Sequence, residues 1–291
     1  EIYTLSLHDA LPIYNKERKL PLPFVTEDIF PELLSKGKAI LRLSFNGKLD
    51  ERMMGLYLAR HGTERAITSQ CEATGARAIF PCWDEPDLKA TFQWTVRTDS
   101  ELTVVTNGLP ISKRKDPHSG LAVHRFKPTR VLPTYLAAIT VGKYEASETQ
   151  KVGRTPCRVL AWQGKETLTQ FAQDVTGFVL PWFAEYFQQK YHYEKLDQVA
   201  VPGFDAGAME NAGAVFYRQH LLLMDPNNAS WSGQKDIAEV IAHEIAHQWF
   251  GNRVTMVWWD DLWLNEAFAT WISHKAIDSW RPEWRIWDEF L

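Results

Sequence analysis

What the chain has little of narrows its class first. Only three cysteines occur in 291 residues, Cys71, Cys82 and Cys157. Their number is odd and their spacing matches no metal or redox pattern, so a disulfide framework is excluded and free, mostly buried thiols are expected. Such usage weakly favours a reducing, cytoplasmic compartment; Asn228-Ala229-Ser230 is a formal glycosylation acceptor of a kind common by chance and carries little weight. No run of about 18 uncharged apolar residues is present, so no membrane-spanning helix is expected in this segment. Basic runs and tails are missing as well, and the formal net charge is -4. A nucleic-acid partner is therefore not expected. Internal repeats and low-complexity tracts are also lacking.

What is there can build a substantial core. With 45% apolar residues over 291 positions, the chain suits one large or two ordinary domains. From about Lys38 to Tyr144 the pattern is extended. Phe92, Trp94 and Val96 alternate with Gln93, Thr95 and Arg97, as in a half-buried strand. Ile40 to Phe45, Leu102 to Thr106 and Thr134 to Val141 read as further strands, with Asn46-Gly47 and Asn107-Gly108 as turns. An antiparallel β domain is expected there. The period then changes: Leu168, Phe171, Val175, Phe178 and Val179 recur at helical spacing until Pro181, which is expected to break or kink the run. Strand-like pieces return at Val199 to Val201, Ala214 to Tyr217 and Leu221 to Leu223. The overall class is α+β, with a boundary near Tyr144. Residues 1–13 have the look of an adapter-derived, non-native segment. That leaves 14–144 for the β domain, truncated at its start, and 145–291 for a second domain, truncated at its end inside a helix that Pro282 begins.

The chemistry concentrates in His243-Glu244-Ile245-Ala246-His247, followed 19 positions later by Glu266. Histidines four apart on a helix share one face, so both imidazoles can reach one cation, and a carboxylate from a second helix completes a charged, open site. Glu244 stands beside the first histidine, where a general base for an activated water belongs. Taken alone, the motif also suits a buried amphipathic helix with hydrogen-bonded histidines. Its flanks favour the metal. Asp236 and Glu239 are expected in the first turns, Ile237, Val240, Ile241 and Ile245 form the apolar stripe, and Gly251-Asn252 ends the helix. A second helix is expected from an Asp261 N-cap to Trp280, ahead of Arg281-Pro282.

Upstream lies Gly207-Ala208-Met209-Glu210-Asn211. Alone it is a loop with a solvated glutamate. Beside a metal-hydrolase motif, Gly207 can let backbone approach an extended peptide, and Glu210 can hold a cationic group at a fixed distance from the metal.

Together these motifs resemble the aminopeptidase N-like zinc metallopeptidases, a gluzincin group. The resemblance extends to Ser69 through Arg77, to Phe80-Pro81-Cys82-Trp83-Asp84-Glu85-Pro86, to Trp249-Phe250-Gly251-Asn252 and to Trp258-Trp259, and it covers roughly Lys38 to the end. It implies a saddle-like β domain followed by a thermolysin-like catalytic domain. It also implies one Zn2+ per chain on His243, His247 and Glu266, with Glu244 as general base. Glu210 would bind the substrate's α-ammonium, and Gly207, Ala208 and Met209 would line the substrate strand. Gln70 and Glu72 would reach the first specificity pocket and the amino terminus. The implied substrates are peptides with a free amino terminus. Ala267, where many members have Gly, and Val257, where a charged residue is frequent, are the departures. The Tyr that stabilises the oxyanion in the family would lie beyond residue 291, so this fragment is expected to be impaired on the order of 100- to 1000-fold. Oligomeric state and the preferred first residue are not legible. A leukotriene-hydrolase-like enzyme, a thermolysin-like endopeptidase and an inactive peptide-binding module are the other readings.

Overall fold

The computed structural model describes residues 42–50 and 52–290. Among the described residues seven strands form the first half: β1 (Gly55–His61), β2 (Glu64–Gln70), β3 (Thr95–Thr98), β4 (Thr103–Thr106), β5 (Pro110–Lys115), β6 (Ala122–Phe126) and β7 (Ile139–Gly142). They build two antiparallel sheets, ordered β1-β2-β7-β4 and β3-β6-β5. In the β1–β2 hairpin His61 pairs with Glu64, and Gly62 takes the φ of 57° that so tight a turn requires. That hairpin delivers Gln70 and Glu72 to the middle of the molecule.

A third sheet begins at Tyr144. It contains β8 (Tyr144–Ala146), β9 (Gln150–Val152), β10 (Thr155–Trp162), β11 (Leu196–Val201), β12 (Ala208–Met209) and β13 (Ala214–Arg218). Its order is β12-β13-β11-β10-β8, with β9 also on β10. The β10–β11 and β11–β13 pairs are parallel, and β12 closes one edge antiparallel to β13. Helices α1 (Gln170–Tyr186), α2 (Trp231–His247) and α3 (Leu262–Trp280) pack on one face, and a short α4 (Trp287–Phe290) follows. Strand periodicity divides the core. Val199, Val201, Ala214 and Phe216 join the β-domain cluster, while Leu196, Ala200, Val215 and Tyr217 join the helices. Covered on both faces, β11 is buried at all six positions, which explains its apolar run.

Several expectations are corrected. Of the two outcomes expected at Pro181 the break does not occur: helix α1 continues through it, with Val175, Val179, Leu180 and Phe183 buried on the core side offsetting the lost hydrogen bond. Thr134–Leu136 is a 3-10 turn rather than strand; Thr134 Oγ1 donates to the buried Asp84 at 2.6 Å, and the ladder starts only at Ile139. Leu221 closes another 3-10 turn, so no strand runs to Leu223. Residues 42–49 form no strand, and the start of the expected Ile40–Phe45 strand lies outside the described residues, as does the segment 1–13. The 92–96 alternation is real in burial, but β3 pairs only from Thr95. Helix α2 starts at Trp231, with Ser230 Oγ accepting from Gly233 N at 3.0 Å, which puts Asp236 in its second turn. Asp261 holds the N-cap position of α3 without a side-chain cap bond. Pro282 opens a 3-10 turn, not a helix.

Candidate metal centre

Helices α2 and α3 lie against each other through Ile241, Ile245, Ala269 and Ile272, and this packing turns their polar residues toward one point. His243 Nε2 lies 2.9 Å from His247 Nε2 and 3.2 Å from Glu266 Oε2; His247 Nε2 is 3.6 Å from Glu266 Oε1. Ligand atoms held about 2.0–2.1 Å from a tetrahedral zinc would stand about 3.3 Å apart, so the three spacings suit such an ion. The other ring nitrogens support it. His247 Nδ1 sits 3.1 Å from the Phe250 carbonyl, and His243 Nδ1 sits 3.3 Å from Thr270 Oγ1. A proton on His247 Nδ1 leaves the Nε2 lone pair facing inward, the arrangement a metal needs.

A second group adjoins the first. Oxygens of Glu72, Glu210 and Glu266 lie within 4.8 Å of one another, so Glu266 belongs to both. Glu210 and Met209 come from the sheet edge at β12, and Glu72 comes from the end of the β1–β2 hairpin. Gln70 Nε2 reaches Met209 Sδ at 3.2 Å, bringing the two halves of the chain together. Gly207 precedes the edge strand, and its carbonyl accepts from Arg218 N at 2.9 Å. Ala208 is half-buried. His243, His247, Glu266, Glu210 and Glu72 are thus brought together, with Gln70 and Met209 in contact beside them.

The electrostatics are dominated by buried acidic groups. Burial pushes the Glu72 carboxyl up to about 8, with Glu210 and Glu266 adding to the shift. Burial also holds Glu210 above the ordinary range, and Glu244 well above it. Glu266 goes the other way. Burial opposes its charge, but hydrogen bonds from His243 and His247 keep it well below the usual carboxylate range. Burial should neutralise His247 too, yet Glu210, Glu266 and Glu244 raise it to about 10. Among the described residues no Lys or Arg bonds these four carboxylates. Glu244 Oε2 and Glu72 Oε1 are buried without partners. Two convergent imidazoles, a charged carboxylate and orphaned acidic oxygens fit a divalent cation and an ammonium group.

Some contributors escaped the sequence reading. Tyr135, from the 3-10 turn after Pro133, donates to the Gly251 carbonyl at 3.2 Å. Gln248 and Asn252 both bond the Glu210 carbonyl, and Asn107 bonds the Ala212 carbonyl. Gln248 and Asn252 flank or lie within the Trp249–Asn252 motif, but side-chain amides in a buried segment carry no spacing signal.

Comparison with known proteins agrees with this architecture. Residues 14–136 match the peptidase M1 N-terminal domain, and residues 171–291 match the peptidase family M1 domain. Aminopeptidase M1 of Arabidopsis thaliana is 43% identical over 267 residues, 90% of this chain and 30% of that protein. Aminopeptidase 2, mitochondrial, of Saccharomyces cerevisiae is 42% identical over 262 residues, 88% of this chain and 27% of its own. Leucyl aminopeptidase of Saccharolobus solfataricus is 41% identical over 254 residues, 87% and 32% of the two chains. The chain thus spans about three tenths of the length of these relatives. Aminopeptidases of this family are in general zinc metalloenzymes. With both domain matches falling in order along the chain, the chain belongs to peptidase family M1.

Proposed function

We propose that this chain carries the β domain and the metal-bearing part of a zinc aminopeptidase that removes amino-terminal residues from peptides. The observation behind the reading is that Glu266 belongs at once to the His243–His247–Glu266 group and to the Glu72–Glu210–Glu266 group. A cation site and an ammonium site share a wall. Zinc held by the first group would supply Lewis acidity toward the scissile carbonyl and a lowered water pKa. The chain's residues do the rest. Glu210 and Glu72 receive the α-ammonium through charge-assisted hydrogen bonds. The outer edge of β12, unpaired among the described residues, offers backbone groups to an extended peptide and fixes its register. Gln70 and Met209 wall the space for the first side chain. Glu244, with a free buried oxygen, takes the proton of the attacking water and passes it to the leaving amine.

The test uses the full-length protein and one short peptide in two forms, with a free and with an acetylated amino terminus, each with and without chelator. Chelator-sensitive release of the first residue from the free peptide alone is the expected result. Cleavage of both forms would make the protein an endopeptidase. Cleavage of neither, with zinc bound, would assign it another substrate or a binding role. Glu210→Ala should raise KM, lower turnover and weaken the preference for a free amino terminus; unchanged kinetics would remove Glu210 from the anchor.

A further inference from the structure

We infer that the side-chain amides of Gln248 and Asn252 set the distance between the Glu210 anchor and the metal triad, acting as positioning residues for substrates with a free amino terminus. This rests on the aminopeptidase reading above. Gln248 directly follows His247, at the C-cap of α2. Its Nε2 donates to the Glu210 carbonyl at 2.9 Å and to the Glu244 carbonyl at 3.3 Å. Its Oε1 accepts from Gly213 N at 3.2 Å. One amide therefore ties both ends of the turn after β12 to the helix that carries the histidines. Asn252 adds a second tie: Nδ2 donates to the same Glu210 carbonyl at 2.7 Å, while its backbone N–H bonds the His247 carbonyl at 2.9 Å. Both side chains are buried.

A single donor would satisfy a buried carbonyl. Two donors, both from the segment that starts at a metal ligand, over-determine where Glu210 stands relative to that ligand. The geometry matters because an α-ammonium and the first carbonyl carbon are separated by only two covalent bonds. The substrate is a short ruler, and a shift of about 1 Å at one end costs roughly 100-fold. Fixing the Glu210 carbonyl fixes the root of its side chain.

The experiment compares zinc-loaded, full-length wild type with Gln248→Met, Gln248→Glu and Asn252→Asp. The Met variant removes both functions of the amide at similar volume. The Glu variant keeps the acceptor for Gly213 N and loses the donor to Glu210. Asn252→Asp removes the other donor with little change of shape. Two inhibitors serve as probes: L-alanine hydroxamate, which offers an α-ammonium and a metal-binding group, and acetohydroxamate, which offers the metal-binding group alone. In each variant the alanine hydroxamate Ki should rise about 10- to 100-fold, with the acetohydroxamate Ki within about twofold of wild type and zinc content unchanged. A purely structural role would lower the unfolding temperature without moving the ratio of the two constants. An unchanged ratio in the folded variants, or equal weakening of both probes, overturns the inference. Should wild type itself bind the two probes equally, the ammonium anchor fails first, and the inference falls with it. The two near-isosteric variants keep the test decisive if Gln248→Met does not fold.

Discussion

A Cβ added to Gly251 would stand 2.9 Å from His247 Nδ1. The glycine has a φ of 125°, its N–H bonds the Val254 carbonyl at 2.8 Å, and its carbonyl accepts from Tyr135. The absent side chain leaves room for His247 Nδ1 beside this turn, where it meets the Phe250 carbonyl.

Gly251→Ala should therefore turn the ring off its hydrogen bond and weaken zinc binding by about 10- to 100-fold, as loss of a partner behind a ligand does. Chelator competition on the folded variant measures it. A zinc dissociation constant equal to wild type would show that the contact does not orient the ring.

Glu244 follows His243 in the chain but is not one of the three converging groups, so the proposed reading makes it the base and not a ligand. Glu244→Gln is expected to retain a full complement of zinc while turnover falls about 100- to 10,000-fold. His247→Ala should lose both. Metal analysis beside kinetics separates the two, and loss of zinc in the Gln variant would contradict the role assigned to Glu244.

Away from the cleft, Asp197 sits buried between Arg158, which donates through Nε and a terminal nitrogen at 2.8 Å each, and Lys195 at 3.0 Å. Burial works against the Asp197 charge, but Lys195 and Arg158 prevail and hold its carboxyl below the usual range. Since the folded value lies below the unfolded one of about 3.9, its stabilisation is complete above that pH and is lost as pH falls through the folded value. Asp197→Asn should cost about 3–5 kcal/mol at neutral pH, because two cationic groups lose their counter-charge. The gap between wild-type and variant urea midpoints should narrow on acidification; a gap that widens would reverse the sign argued here.

Much of the cleft was legible because its parts are local. His243 and His247 announce themselves by helical spacing, and α3 was bounded correctly at Asp261 and Trp280 by residues that start and stop helices. Glu210 and Met209 were readable from a contiguous motif. What stayed hidden depends on partners far along the chain. The β-branched look of Thr134–Val141 suggests a strand, but Asp84, 50 residues away, claims Thr134 and bends the segment into a turn that presents Tyr135. Pro181 has the local chemistry of a helix breaker, and only burial against distant strands keeps α1 whole. Gln248 carries its meaning in a contact 38 residues back, at Glu210.

The two groups that share Glu266 also differ in how far apart their members lie along the chain. His243 and Glu266 are 23 residues apart, within one helical hairpin, whereas the Gln70–Met209 contact that brings Glu72 and Glu210 together spans 139. Closing the longer loop costs about 1.6 kcal/mol more chain entropy than closing the shorter. The histidine group is therefore held together by local chain, whereas the acidic group depends on the β1–β2 hairpin packing against the edge of the third sheet.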